Sequence, residues 1–108
     1  LRLEGQIMEW RCVRALLEDP TDTRLLEEYT ATSEYRDYSH LYYPPRIVMG
    51  FLARKDPEKA FMAACSVSGW EMRDHCLEKL GHDLRDNAWD DRIVPHLTDP
   101  GHIVSYYE

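Results

Sequence analysis

Three Asp-Pro dipeptides divide this chain, and they constrain its fold more than any other feature of the sequence. They are Asp19-Pro20, Asp56-Pro57 and Asp99-Pro100, and they lie 37 and 43 residues apart. An Asp carboxylate accepts hydrogen bonds from the amides of a first helical turn, and proline fits the next position because its missing N–H has no partner there anyway. Each dipeptide therefore predicts a helix start, and the intervals match the period of roughly 40 residues expected for stacked helical hairpins.

Apolar residues recur every three or four positions through most of the chain, a spacing that is typical of amphipathic helices. The first helix is predicted over residues 2–18, with one buried stripe made of Leu3, Ile7, Trp10, Val13, Leu16 and Leu17. Later helices are predicted from Pro20, Pro45, Pro57, Trp70 and Ala88, and Asp99-Pro100 opens a final segment that ends mid-helix. No segment shows the alternation of a half-buried strand. The sequence therefore predicts one all-α domain over residues 1–108, in which about six helices form irregular antiparallel hairpins as a short solenoid or an orthogonal bundle.

Composition limits the partners that this chain can attract. Its formal net charge is −7, so nucleic acid and anionic membranes would repel it on average, and a basic protein is the expected partner. A hydrophobic fraction of 44% indicates a folded domain rather than a disordered chain. No apolar run approaches the roughly 20 residues that cross a bilayer, and Cys12, Cys65 and Cys76 show no CxxC spacing. We therefore expect reduced, mostly buried thiols and a cytoplasmic location.

A tyrosine-rich segment interrupts the helical pattern between residues 33 and 43. It is predicted to be a loop or a single turn that stops at Pro44-Pro45. Tyrosine is enriched where proteins bind proteins because it combines a large apolar ring with a hydroxyl, and the interleaved charges favour exposure of some of the rings. The alternative is a loop packed on the domain. The predicted partner-binding residues of this segment are Tyr35, Asp37, Tyr38, His40, Tyr42 and Tyr43.

Four aspartates form an acidic cluster around the predicted start of the penultimate helix: Asp83, Asp86, Asp90 and Asp91. Acids at that position stabilise the helix dipole, and this structural role is one interpretation of the cluster. Asp86 in particular suits a turn that ends one helix and caps the next. If the cluster lies on the same side as the tyrosine segment, the two would form a negative, aromatic-rimmed surface that steers a basic partner. The four aspartates are therefore also predicted partner-binding residues.

Two neighbouring segments carry a helical-repeat pattern, residues 71–81 (EMRDHCLEKLG) and 90–104 (DDRIVPHLTDPGHIV). The pattern resembles a HEAT repeat, with Arg73, Cys76, Leu80 and Gly81 in the first helix and Ile93, Val94, Leu97 and Asp99 in the second. Gly81 is predicted to end the first of these helices in the left-handed conformation. The resemblance implies a HEAT-like scaffold that recognises other macromolecules rather than performing chemistry.

The sequence Tyr42-Tyr43-Pro44, preceded by Glu27, Glu28, Glu34 and Asp37, is similar to the Tyr-Tyr-Pro turn of colicin immunity proteins. Members of that family are small, acidic, helical proteins that block nuclease toxins. The resemblance implies a bacterial immunity protein that occludes a basic toxin. Its acidic side chains would speed the encounter, and its tyrosines would supply the anchors.

Two other functions remain open. The apolar C-terminal segment HIVSYYE and Leu1 in place of Met suggest a fragment or subunit of a larger helical scaffold. His82-Asp83 resembles the adjacent pair of HD-type metal phosphohydrolases, but His40 and Asp99 are poorly spaced to complete that signature, and a solvated turn is the preferred interpretation. The remaining histidines lack ligand spacing, and the serines lack a nucleophile elbow. We therefore expect no enzyme activity, no cofactor and no metal.

Overall fold

The computed structural model describes residues 2–37 and 42–108, and within those residues every regular element is helical. Seven α-helices lie in them: α1 (Arg2–Glu18), α2 (Arg24–Thr32), α3 (Pro44–Lys55), α4 (Pro57–Ser66), α5 (Trp70–Leu84), α6 (Asn87–Ile93) and α7 (Pro100–Tyr106). One 3-10 turn, Val94–His96, follows α6 where Pro95 removes a backbone donor. The predicted all-α class is confirmed.

The Asp-Pro dipeptides start helices at two of the three predicted positions. Asp56 caps α4, because its carboxylate accepts a hydrogen bond of 3.2 Å from the Lys59 amide. Asp99 caps α7 in the same way, with a bond of 3.2 Å from the Gly101 amide. In both helices proline occupies the first turn, where no backbone donor is needed.

The prediction that Asp19-Pro20 starts the second helix is wrong. The Asp19 carboxylate accepts hydrogen bonds from the amide and the hydroxyl of Thr21, at 3.0 and 2.7 Å. The Asp22 amide closes this turn by donating to the Asp19 carbonyl oxygen at 3.1 Å, and α2 begins only at Arg24. The physical reason is competition: the Asp22 carboxylate accepts the Arg24 amide at 3.3 Å and replaces the carbonyl oxygen that a helix would supply.

The core is centred on α3, which packs against α1, α2, α4 and α5. α3 and α5 lie side by side, and Gly50 of α3 lies beside Lys79 and Asp83 of α5. Fully buried side chains from helices α1 to α6 fill the interior, among them Leu16, Leu26, Val48, Met49, Leu52, Ala60, Leu77, Leu80 and Ile93.

The prediction that α1 buries a single stripe is wrong. Its buried face consists of Glu9, Cys12, Val13 and Leu16. Leu3, Ile7 and Trp10 are 64%, 49% and 41% exposed. At 3.6 residues per turn, Ile7 lies on the opposite side of the helix from Leu16, so one contact with α3 cannot bury both. α1 therefore carries two apolar faces, and only one of them enters the core.

The prediction that Gly81 ends its helix is also wrong. α5 continues through Gly81 to Leu84, and Arg85 adopts the left-handed conformation with φ 45°. Gly81 lies instead against Tyr106 of α7, and a Cβ added at this position would overlap the tyrosine ring. Close packing of α7 on α5 therefore requires glycine at position 81, whereas the C-terminal end of α5 does not require it.

All three cysteines are free thiols, Cys12 and Cys76 are fully buried, and Cys65 is partly buried. Burial, with a smaller contribution from Glu9, raises the pKa of Cys12 to about 11. Burial raises the pKa of Cys76 to about 12. Since the thiolate is the reactive form, these two cysteines act as small apolar core residues.

Candidate functional site

The tyrosine segment contributes to a groove between the first half of α1 and the end of α2. The groove, here called the tyrosine groove, has a volume of about 360 Å³ and is lined by Glu4, Gly5, Met8, Tyr29, Thr32, Ser33, Glu34 and Tyr35. The Tyr29 hydroxyl donates to the Gly5 carbonyl oxygen at 3.3 Å and holds α2 against α1. Both charged residues of the lining, Glu4 and Glu34, are acidic and exposed. The groove therefore combines aromatic faces with negative charge.

Tyr35 and Tyr42 form an aromatic pair at this end of the molecule. Their ring centroids are 5.4 Å apart, and the rings are inclined by 56°. Tyr42 is 41% exposed, and Asp37 on the same segment is also exposed. A ligand that approaches the tyrosine groove would meet both a ring surface and carboxylates.

Tyr43 of the tyrosine segment does not join this surface. Tyr43 is only 2% exposed and lies directly before α3, so its ring belongs to the interior of the domain. Tyr38 and His40 lie outside the described residues. Of the six predicted residues, Tyr35, Asp37 and Tyr42 are the ones with an observed surface position.

Three of the four aspartates in the acidic cluster bind partners within the fold. Asp86 caps α6 by accepting a hydrogen bond of 2.8 Å from the Ala88 amide. Asp83 forms an ion pair of 3.1 Å with Lys79. Asp90 accepts a hydrogen bond of 2.5 Å from the Tyr106 hydroxyl, and burial together with this bond raises the pKa of Tyr106. Asp91 is exposed.

A basic groove lies between the tyrosine segment and the acidic cluster. Its volume is about 480 Å³, and it is lined by Arg46, Ile47, Gly50, Phe51, Arg54, Lys79 and Asp83. Tyr42 precedes α3, whereas Asp83 lies beside Gly50, about 10 Å further along the helix at 1.5 Å per residue. The cations of this groove therefore lie between the acidic residues of the tyrosine segment and those of the acidic cluster, and the two do not form one continuous negative surface.

His82 and Asp83 are engaged in other contacts. The His82 ring stacks near Tyr106, with centroids 6.2 Å apart, and Asp83 pairs with Lys79. Within residues 2–37 and 42–108, no three His, Cys, Asp or Glu side chains are grouped as a metal site. The pair lies on the last turn of α5 rather than in the solvated turn predicted for it.

A buried aspartate that the sequence did not single out joins α5 to α7. The Asp74 side chain is fully buried. It accepts hydrogen bonds from the backbone amides of Thr98 and Asp99, at 3.0 and 3.1 Å, and lies 2.8 Å from Nδ1 of His102. We call this arrangement the Asp74 clasp. The residues that bind Asp74 are distant from it in sequence. The feature of the sequence that could have revealed its role is an acidic residue three positions before Leu77, on the apolar face of α5.

The Asp74 clasp shifts the acid–base behaviour of its members. Burial alone would raise the pKa of Asp74, but the bonds from His102 and from the Asp99 and Thr98 amides outweigh burial and lower it. The bond to Asp74 raises the pKa of His102. His75, whose ring centroid is 4.9 Å from that of His102, has its pKa lowered by burial and by the charge on His102. A protonated His102 and an ionised Asp74 therefore stabilise each other.

The contribution of His102 to stability is expected to depend on pH. Because the folded-state pKa is raised, this contribution is complete below the ordinary value of 6.5 and is lost as the pH rises through the folded-state pKa. We expect the difference in free energy of unfolding between wild type and His102→Gln to shrink as the pH rises above 6.5 and through the raised pKa of His102. Urea titrations at a series of pH values measure it.

The pH range above 6.5 separates His102 from His75 and Asp74, whose contributions to stability change only at lower pH. The lowered pKa of His75 acts with the opposite sign, because its contribution is lost as the pH falls through and below 6.5. The contribution of Asp74 to stability is complete above pH 3.8 and is lost only as the pH falls through its lowered pKa. A difference between wild type and His102→Gln that stays constant with pH would contradict the ionic character of the clasp.

Comparison with known protein families, with curated proteins and with solved structures yields no match to this chain. Among the helices of the described residues, none has the length and apolar character that crossing a membrane requires. Function is therefore inferred from the grooves, charges and contacts of the chain itself.

Proposed function

We propose that this chain is a protein-binding module that captures a basic segment of another protein at the tyrosine groove. The observation that carries the proposal is the Tyr35–Tyr42 pair beside the carboxylates of Glu4 and Glu34. Arg and Lys side chains are attracted to tyrosine faces and form charge-assisted hydrogen bonds with carboxylates. A cation that enters this groove would gain both interactions. The net charge of −7 would accelerate its approach.

In its most specific form, the proposal is a bacterial immunity protein that acts in the cytoplasm and occludes a basic toxin. The mechanism would be steric and electrostatic. Acidic side chains would speed the encounter, Tyr35 and Tyr42 would supply the anchors, and inhibition would need no catalytic residue and no cofactor. Support comes from the acidic charge and from the similarity of Tyr42-Tyr43-Pro44 to the immunity-protein turn.

The HEAT-like arrangement is part of the same proposal. It is supported by the Asp-capped starts of α4 and α7 and by the packing of α3, α4 and α5 on one another in succession. Stacked helical hairpins bury one face and leave another free for a partner. A second candidate function, a subunit of a larger helical scaffold, is favoured by the exposed apolar residues of α1.

Replacing both Tyr35 and Tyr42 by alanine is expected to weaken binding of the basic partner by about tenfold or more, because aromatic anchors carry much of an interface's binding energy. The partner is identified by mass spectrometry after capture on the immobilised chain, then purified. Surface plasmon resonance gives the association and dissociation rates at several salt concentrations. The association rate should fall as salt screens the steering charges.

Tyr107→Ala is the matched control, because Tyr107 is a 65% exposed tyrosine that lines a different groove. We expect this variant to bind as wild type does, and circular dichroism would verify that all variants are folded. Unchanged affinity in the Tyr35/Tyr42 double variant would refute the anchor role. An association rate that is indifferent to salt would refute steering by the acidic residues.

A further inference from the structure

The outer side of α1 presents an apolar surface that is continuous with α3. Leu3, Ile7 and Trp10 are exposed on α1, and the Trp10 ring stacks on Phe51 of α3 with centroids 4.9 Å apart and planes inclined by 24°. We call these four residues the α1–α3 face. A groove of about 410 Å³ lies on one side of the stacked pair, lined by Leu3, Gln6, Ile7, Trp10, Arg11 and Arg14. Phe51 lines the basic groove on the other side.

The spacing along α1 suits contact with another helix. Leu3, Ile7, Trp10 and Leu17 occupy the alternating a and d positions of a heptad repeat, and Arg14 fills the a position between the last two. A helix needs one apolar face to pack into its own domain, and α1 already has one. A contiguous second face of large apolar residues is characteristic of an interaction site rather than of a solvated helix surface.

The rim of the α1–α3 face is basic, although the chain as a whole is acidic. Arg11, Arg14, Arg54 and Lys55 are all exposed there. Lys55 Nζ lies 5.4 Å from the Trp10 ring centroid, and the guanidinium carbon of Arg54 lies 4.9 Å from that of Phe51. The acidic residues Glu4 and Glu18 lie towards the two ends of α1. The cations thus surround the centre of the apolar surface.

This charge distribution selects among the possible occupants. A helix with acidic residues on both sides of an apolar stripe would pair with the four cations while its stripe covers Ile7 and Trp10. A second copy of this chain would bring two sets of the same cations together, and like charges at an interface are unfavourable. A basic helix would be repelled for the same reason.

We propose that the α1–α3 face is the docking site for an acidic amphipathic helix of a partner protein. The site goes beyond the tyrosine groove, because the two grooves share no lining residue: Glu4 and Met8 line the tyrosine groove, whereas Leu3, Ile7 and Trp10 line the groove on the outer side of α1. The two surfaces carry opposite charge. The molecule thus offers one site to a basic segment and another to an acidic helix.

The probe is a synthetic peptide of about 20 residues, since shorter isolated helices are marginal in water. It carries leucine at heptad positions a and d and glutamate at e and g. A second peptide has lysine in place of glutamate, and a third has serine in place of leucine. Fluorescence anisotropy of the labelled peptides measures affinity for the whole chain. We expect the acidic peptide to bind at least about tenfold more tightly than either of the others.

Ile7→Glu should weaken binding of the acidic peptide by about tenfold or more, because it places a carboxylate at the centre of the apolar face. Met62→Glu is the matched control, since Met62 is a similarly exposed apolar residue on α4. Arg11→Glu with Arg14→Glu should reverse the preference between the acidic and basic peptides. The Tyr35/Tyr42 double variant should bind the acidic peptide unchanged, so failure at one surface is distinguishable from failure at the other.

Several results would overturn the proposal. Equal binding of the acidic and basic peptides, or binding of neither, would exclude the predicted recognition. Light scattering that shows a dimer dispersed by Ile7→Glu would assign the face to a second copy of the chain. Binding of a single-stranded oligonucleotide more tightly than the acidic peptide would assign the basic rim to nucleic acid.

Discussion

Asp74→Ala is expected to lower the free energy of unfolding by about 3 kcal/mol, because it leaves two backbone amides and the His102 ring, all partly buried, without their acceptor. The carboxylate accepts the amides of Thr98 and Asp99 and contacts Nδ1 of His102, and its side chain is fully buried. Alanine would leave a cavity beside these donors and release the segment that leads into α7. For a domain of this size the melting temperature should fall by roughly 15 °C.

Asp91→Ala is the matched control for that measurement. Asp91 is an exposed aspartate on α6, and exposed positions without special contacts usually change stability by less than about 0.5 kcal/mol. Both variants are compared with wild type by calorimetry and urea titration near neutral pH. A loss below about 1 kcal/mol in Asp74→Ala would show that water replaces the carboxylate as acceptor, contrary to the burial of the clasp.

Gly81→Ala is expected to destabilise the protein by about 2 kcal/mol, a typical cost for a group added to a packed interior. The new Cβ would overlap the ring of Tyr106, which is buried and fixed by its hydrogen bond to Asp90. Relief requires either that the ring leaves its position or that α7 moves away from α5. Thermal unfolding followed by circular dichroism measures the loss.

Gly50→Ala provides the contrasting control, because its added Cβ would meet Lys79 Cε at an ordinary 3.5 Å. Alanine is better than glycine inside a helix by about 0.5–1 kcal/mol, so Gly50→Ala should be neutral or stabilising. In a Tyr106→Ala background, Gly81→Ala should also become neutral or stabilising. If Gly81→Ala remained equally destabilising without the Tyr106 ring, the packing explanation would be wrong.

The electrostatics of the surface differ from what the net charge suggests. A formal charge of −7 predicts that the whole surface attracts basic partners, but acidic and basic side chains are concentrated on different parts of the surface. Glu4 and Glu34 line the tyrosine groove, whereas Arg11, Arg14, Arg54 and Lys55 surround the α1–α3 face. The two proposed sites therefore follow from local charge and shape rather than from the total.

Local chemistry could be predicted because its determinants are adjacent in sequence. The helical class follows from apolar spacing, and the caps at Asp56, Asp86 and Asp99 follow from a carboxylate placed next to a first helical turn. Asp19 failed the same rule, because the Asp22 carboxylate accepts the Arg24 amide in place of a helical carbonyl oxygen. Even this error is local in origin, since it depends on side chains a few positions away.

Packing between helices selects which chemically similar residues face the interior. The sequence alone predicts the helices, most of their boundaries and the acidic balance of the chain. It did not determine that Val13 enters the core while Ile7 stays exposed, that Tyr43 is buried while Tyr42 is accessible, or that Gly81 makes room for Tyr106. The physical reason is that helix formation depends on neighbours within a few residues, whereas burial depends on which helix packs against which face.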